Sequence, residues 1–314
     1  VYVIVDGETK YSNNTPKFKT KDTKLPTITA GSITDITMTS ASVSGEVTFD
    51  GGEPETVRGL CWGTSGNPTL SSCIDTTVIG SGKGPFIGVI AGLTPGTQYY
   101  VRTYATNSKG TAYNSEDVVF KTHNLPKVTT TAVSAITNTG ATSGGDVTDD
   151  GYAEVTARGV CWGTAPSPST ELTTKTTDGS GTGTFISTIS GLTPLTTYYV
   201  RAFAINKYGT SYGEERSFTA TKPPAVMTKA ATLIGNTTAT LNANINAQSF
   251  STTITFEYGT STSYGSSVSA ATSPVSGTTA TDVLANVTLL SPGTTYHFRV
   301  KAESTGGTTY GEDL

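Results

Sequence analysis

The chain has 314 residues, of which 14% are charged, with a net charge of −4 and a pI near 5.3; this balance lacks the basic surface that binding to a phosphate backbone requires. Thirty-five glycines, only two methionines and no long apolar run argue against a membrane-spanning helix or a coiled coil and for short strands joined by turns. At about 100 to 150 residues per domain the length holds two or three domains.

Val1 to Val5 alternates like a strand and lacks the charged start and apolar stretch of a secretory leader. The segment 1–20, ending Phe18-Lys19-Thr20, repeats the endings Phe120-Lys121-Thr122 and Phe218-Thr219-Ala220-Thr221. It is therefore expected to be the closing strands of a preceding, incomplete module. Lys21 to Leu25 is a short charged linker, and Pro26 opens a first full repeat, 26–122. In it Ala41 to Phe49 alternates as a strand, Asp50-Gly51-Gly52-Glu53 signals a turn, and Thr56 to Trp62 and Phe86 to Ile90 are further strands.

Next comes Leu93-Thr94-Pro95-Gly96-Thr97-Gln98-Tyr99, a turn leading into a strand. Tyr99, Val101, Thr103 and Ala105 fall on one face of that strand, while Tyr100, Arg102 and Tyr104 fall on the other, which is expected to face solvent. Pro126 opens the second repeat, 126–221, with Asp149-Asp150-Gly151 at the turn and strands over Thr156 to Trp162 and Phe185 to Ile189. Its organising stretch, Leu192 through Pro194 and Tyr198 to Asn206, again places Tyr198 inward and Tyr199, Arg201 and Phe203 outward. Pro223-Pro224 opens the third repeat, 223–314, with Thr252 to Tyr258 and then Leu290 through Pro292 and Tyr296 to Ala302. Tyr310-Gly311-Glu312 matches Tyr212-Gly213-Glu214, so this repeat is expected to lack its last strand. The period is about 99 residues. The short, proline-bearing junctions predict a semi-rigid rod on the order of 100 Å long.

Two further segments repeat. Arg58-Gly59-Leu60-Cys61-Trp62-Gly63-Thr64 matches Arg158-Gly159-Val160-Cys161-Trp162-Gly163-Thr164, and Thr255-Phe256-Glu257-Tyr258-Gly259-Thr260 takes the same place in the third repeat. Trp62, Trp162 and Tyr258 are read as core anchors. The spacing Leu-x-Pro-x-Thr-x-Tyr resembles the tyrosine corner of immunoglobulin-like and fibronectin type III domains. That resemblance implies that the rings of Tyr99, Tyr198 and Tyr296 pack in the core while their hydroxyls bond nearby backbone.

Together these motifs resemble the tandem fibronectin type III-like repeats of secreted and surface proteins from Bacteroidetes-type bacteria. The third repeat is similar to a related subtype of bacterial extracellular enzymes and adhesins. The resemblance implies an all-β array of seven-stranded β-sandwiches, an extracellular or cell-surface location, and a spacer, stalk or adhesive role without shared catalytic residues. Asp75-Thr76-Thr77 also resembles an O-glycosylation acceptor in such bacteria.

Little in the sequence carries chemistry. Cys61 and Cys73 lie 12 residues apart, compatible either with a disulfide between neighbouring strands or with free, semi-buried thiols; Leu172 stands where a partner for Cys161 would be. The two histidines, His123 and His297, are distant in sequence from the cysteines, so no zinc site is assigned. Asp50/Glu53 and Asp149/Asp150 are oxygen-rich enough for a hard cation, although acidic residues are ordinary turn formers. Glu214-Glu215 likewise sits at a turn. No cofactor or metal is assigned.

The outward sets Tyr100, Arg102, Tyr104 and Tyr199, Arg201, Phe203 have two readings: a face that stacks on sugar rings or a partner protein, or Arg side chains lying over aromatic rings to cover their own sheet. The expected function is thus a non-enzymatic structural or adhesive array. Its partners would be neighbouring modules of the same longer chain, with copies of itself or a surface glycan or protein as further candidates. The alternative is an accessory carbohydrate-associated region of an extracellular glycoside hydrolase.

Overall fold

The structure, a computed structural model, describes residues 2–11, 22–54 and 56–314; Phe18-Lys19-Thr20, on which the expected fragment of a preceding module rests, lies outside the described residues. Those residues form twenty-four strands, and none of them belongs to a helix long and apolar enough to cross a membrane. Contacts gather the chain into two compact units, Val1–Asn124 and Leu125–Leu314.

The first unit opens with a hairpin of β1 (Tyr2–Val5) and β2 (Glu8–Tyr11). Its turn residues Asp6 and Gly7 both have positive φ, 51° and 81°, as a two-residue turn matched to strand twist requires. A sandwich follows: β3 (Thr27–Thr34), β4 (Ser40–Phe49), β5 (Val57–Gly63), β6 (Asp75–Ser81), β7 (Gly84–Ala91), β8 (Gln98–Asn107), β9 (Gly110–Tyr113) and β10 (Val118–Lys121). One sheet has the order β3-β4-β7; the other is β10-β8-β5-β6, with β9 also paired to β8. Alternate residues of both sheets meet in a single core that includes Val43, Val47, Leu60, Trp62, Phe86 and Ile90. Each such aliphatic side chain contributes roughly 1.5 to 3 kcal/mol through burial, while the opposite face of β7 leaves Ile87 and Val89 exposed.

The second unit repeats the plan twice. Its first sandwich contains β11 (Lys127–Thr130), β12 (Gly140–Asp149), β13 (Val155–Gly163), β14 (Gly183–Ser190), β15 (Thr197–Asn206), β16 (Gly209–Tyr212) and β17 (Arg216–Thr219). Sheet β11-β12-β14 covers the sheet in which β15 pairs with β13, β16 and β17. Its second sandwich contains β18 (Ala225–Thr232), β19 (Ala239–Asn246), β20 (Thr253–Gly259), β21 (Ser266–Ser269), β22 (Thr281–Val287), β23 (His297–Ser304) and β24 (Gly307–Tyr310), in sheets β18-β19-β22 and β21-β20-β23-β24. Each sandwich has its own hydrophobic cluster. A three-stranded antiparallel sheet packed on a sheet built around two central strands is the fibronectin type III-like β-sandwich, and the chain is an all-β array of such units.

The tyrosine corner forms in every sandwich. Backbone N–H groups of Thr94, Thr193 and Ser291 donate to the hydroxyls of Tyr99, Tyr198 and Tyr296 at 3.0, 3.1 and 3.1 Å. The residue after the proline takes a left-handed conformation each time, φ 64° at Gly96, 59° at Leu195 and 69° at Gly293. Leu195 therefore carries strain that glycine avoids in the other two copies.

Four of the six expected core aromatics, Trp62, Trp162, Tyr99 and Tyr198, are buried. Tyr258 and Tyr296 are corrections: both are only half-buried, with Tyr258 packed at the rim of its cluster. The cause lies in the neighbouring strand. Tyr99 stacks on Phe120 of β10 with ring centroids 5.8 Å apart and Tyr198 on Phe218 of β17 at 5.9 Å. In the third sandwich Leu314 pairs with Phe298, two residues short of the rung beside Tyr296, and no ring among the described residues stacks on Tyr296 as Phe120 and Phe218 do on Tyr99 and Tyr198.

Candidate interaction face

The face expected to meet a ligand lies on the outer side of β8 and β15. Burial alternates along β8 as far as Thr103 and then stops alternating, since Tyr104 is buried; in β15 Phe203 breaks the pattern in the same place. Both placements correct the expectation of an exposed aromatic face. Tyr104 stands opposite Gly59 and Phe203 opposite Gly159 across the strand pair, and the Tyr104 ring fills the space that Gly59 leaves. A Cβ on Gly59 would come within 1.9 Å of the Thr77 carbonyl oxygen and 2.7 Å of the Tyr104 hydroxyl oxygen. The Tyr104 hydroxyl donates to the same Thr77 carbonyl at 3.3 Å.

The rest of the face is covered by the loop that follows β5 or β13. Pro68 and Pro168 are buried in it, and the backbone N–H groups of Leu70 and Thr170 donate to the hydroxyls of Tyr113 and Tyr212, each at 3.0 Å. Under this cover Arg102 lies over the Tyr113 ring at 5.0 Å and Arg201 over Tyr212 at 4.7 Å. Arg102 also donates to the Asn114 carbonyl at 2.7 Å and sits 3.9 Å from Asp117, while Arg201 donates to the Gly213 carbonyl at 3.1 Å. Tyr100 and Tyr199 remain half-exposed. The arginines are thus stacked on their own sheet, but on Tyr113 and Tyr212 rather than on Tyr100, Tyr104, Tyr199 or Phe203.

The third sandwich makes the same face with different residues. Arg299 lies between the rings of Tyr264 and Tyr310, at 4.7 and 4.2 Å, and pairs with Glu257 at 2.8 Å. The Tyr264 hydroxyl donates to Asp313 at 3.0 Å, and His297 meets the other Asp313 oxygen at 2.8 Å. Hydrogen bonding to His297 and Tyr264 holds the Asp313 carboxyl below its usual range.

Cys61, Cys73 and Cys161 are all free thiols, so the disulfide reading of Cys61 and Cys73 is corrected to the alternative of free thiols. Cys61 and Cys161 occupy outward positions opposite Arg102 and Arg201, yet both are buried because the covering loop closes over them. The Cys61 thiol donates to the Pro68 carbonyl at 3.5 Å. Burial, with the neighbouring Cys73, pushes the Cys61 thiol up to about 12, and burial pushes Cys161 to about 11. These are buried packing residues with inert protonated sulfur.

The acidic turns bond their own backbone. Asp50 accepts from the Gly52 N–H, Asp149 from Gly151 and Asp150 from Tyr152, each at 2.8 Å. Glu53 accepts from the Ser108 N–H at 2.9 Å and from the Ser108 hydroxyl. Among the described residues no group of three or more His, Cys, Asp or Glu side chains could hold a metal ion. The Thr76 hydroxyl donates to the Leu60 carbonyl at 2.8 Å.

What sequence reasoning missed on this face is Tyr113, Tyr212, Tyr264 and Tyr310, the actual arginine partners. Their signal was present: each is the tyrosine of the short strand, or of the loop, that flanks the arginine-bearing strand.

No known family profile matches the chain, and no curated protein is similar to it in sequence. Among solved structures, the chain is similar to the FN1-FN3 domains of chicken CNTN1 at 15% identity and a TM-score of 0.32, covering 92% of this chain and 96% of that one.

Proposed function

We propose that the chain is a non-enzymatic structural or adhesive array that acts outside the cell, in the manner of bacterial surface stalks and spacers. Its modules join neighbours in a longer chain and present end or edge surfaces to partners. The observation that carries this reading is the repeated use of the arginine and aromatic side chains inside each sandwich: Arg102, Arg201 and Arg299 are stacked on tyrosines of their own sheet. Side chains held in internal stacks stiffen a sheet and are withdrawn from ligands. The accessory carbohydrate reading needs an exposed aromatic stripe, and the burial of Tyr104 and Phe203 weighs against it.

The test is a polysaccharide panel read for both binding and hydrolysis. The structural reading predicts no turnover and no binding that depends on Tyr199. Hydrolysis of any polymer, or glycan binding abolished by Tyr199→Ala, would replace it with a carbohydrate-associated function.

A further inference from the structure

β7 forms one edge of the sheet β3-β4-β7, and its outward residues are Pro85, Ile87, Val89 and Ala91. Ile87 and Val89 are 70% and 62% exposed. No charged residue stands between Gly84 and Gly92, so the strand lacks the lysine or other charge that commonly blunts an edge. The second sandwich places hydroxyls in the same row, Thr184, Ile186, Thr188 and Ser190 on β14. The third has Asp282, Leu284 and Asn286 on β22.

Those two edges are also tied to the segment beside them. On β14 the Ser187 hydroxyl donates to Asp178 at 2.5 Å, and on β22 the Leu284 carbonyl accepts from the Ala271 N–H at 2.8 Å. In the first sandwich Gly88 stands in the place of Ser187, and a Cβ there would lie 2.1 Å from the Ile79 Cδ1, so this seam is closed by apolar packing. Arg58 donates to the Gly84 carbonyl at 2.9 Å, at the start of β7. Among the described residues no backbone outside β4 pairs with Pro85 to Ala91. The Ala271 bond shows which groups are open. Backbone groups alternate between the two edges of a strand, and Leu284 is outward like Ile87; the C=O groups of Ile87 and Val89, with their N–H groups, therefore aim at the free edge.

We propose that β7 pairs antiparallel with β7 of a second copy of the chain, with Gly88 on the two-fold axis and Ile87 of each copy opposite Val89 of the other. The occupant follows from the strand itself. An isologous contact needs a patch complementary to itself, and the row Pro85, Ile87, Val89, Ala91 is apolar read in either direction. In this register Lys83 of one copy falls opposite Leu93 of the other, so no like charges meet. The two three-stranded sheets continue as one of six strands, an ordinary size. The polar rows of β14 and β22 offer no such match. The inference goes beyond the structural reading above and does not depend on it.

The test uses the intact chain. Sedimentation velocity should show a monomer–dimer equilibrium that shifts with chain concentration, and hydrogen exchange at Ile87 and Val89 should slow as the dimer forms. Ile87→Lys and Val89→Glu should each weaken association at least ~10-fold. Mixing these two variants should restore it, because Lys then faces Glu across the pair. Ile186→Lys, on the second sandwich, should leave association unchanged. A chain that stays monomeric at every concentration would overturn the proposal, as would a dimer in which Ile87 and Val89 gain no protection. So would a mixture of the two variants that associates no better than either alone, or an Ile186→Lys chain weakened as much as Ile87→Lys.

Discussion

Truncation of Trp162 to alanine tests the reading of the second sandwich as an independently cored unit. The indole is 6% exposed, lies opposite Val200 and belongs to a cluster with Val160, Phe185, Ile189 and Phe218. Removing a buried tryptophan side chain costs about 3 to 5 kcal/mol. A domain of this size is stable by about 5 to 15 kcal/mol, and each kilocalorie lowers Tm by roughly 4 to 8 °C. The second sandwich should therefore melt at least ~12 °C lower or fail to fold. The chain has only two tryptophans, so the variant retains Trp62 as its single indole reporter. Trp62 belongs to the core cluster of the first unit. Calorimetry should show one transition displaced or lost, while the urea midpoint reported by Trp62 fluorescence stays fixed. An unchanged calorimetric profile would refute the core role of Trp162, and a coincident shift in the Trp62 signal would refute separate cores.

Three further outcomes follow from the same packing. Tyr104→Ala should destabilise the first sandwich by about 3 to 5 kcal/mol because it empties the space beside Gly59, whereas Tyr199→Ala should cost under about 1.5 kcal/mol; chemical denaturation of the two variants distinguishes packing from an exposed face. Tyr198→Phe keeps the ring but removes the acceptor of the Thr193 N–H, so it should cost about 1 to 2 kcal/mol, a fall in Tm of roughly 4 to 16 °C measurable by circular dichroism. The thiols of Cys61 and Cys161 should resist alkylation at pH 8 until the chain is unfolded. Because their folded values are raised by burial to about 12 and about 11, the unfolded chain loses these protons first. Their contribution to stability is therefore present at neutral pH and is lost as pH rises from about 8.5 toward those values. A denaturation midpoint unaffected between pH 8 and 11 in the wild type, or rapid alkylation of the folded chain, would contradict their burial.

Most of the fold was legible because a half-buried strand records its inner face in every second residue. Ala41, Val43 and Val47, and likewise Phe86 and Ile90, are buried as their alternation required. The tyrosine corner was legible because it is local: hydroxyl and N–H lie five residues apart. The outer face was not legible, because periodicity specifies which residues share a side and not what covers that side. The loop that carries Pro68 or Pro168 is held over the sheet by bonds from Leu70 to Tyr113 and from Thr170 to Tyr212, partners 43 and 42 residues apart in sequence. One available clue was Gly59 and Gly159, whose pairing with Tyr104 and Phe203 marks a site where an aromatic ring must lie down on the sheet. Tyr296 was misplaced for a different reason: its burial depends on a ring from a neighbouring strand, which the motif around Tyr296 does not contain.

The central claim, that this is a structural array of separately cored sandwiches, is tested most directly by pulling a single chain from its two ends. The account predicts sequential unfolding events, each releasing about 330 Å of contour length for a module of about 95 residues, with Trp162→Ala removing or weakening one event and leaving the others at their original force. A single extension without discrete events, or loss of every event in the Trp162→Ala chain, would contradict it.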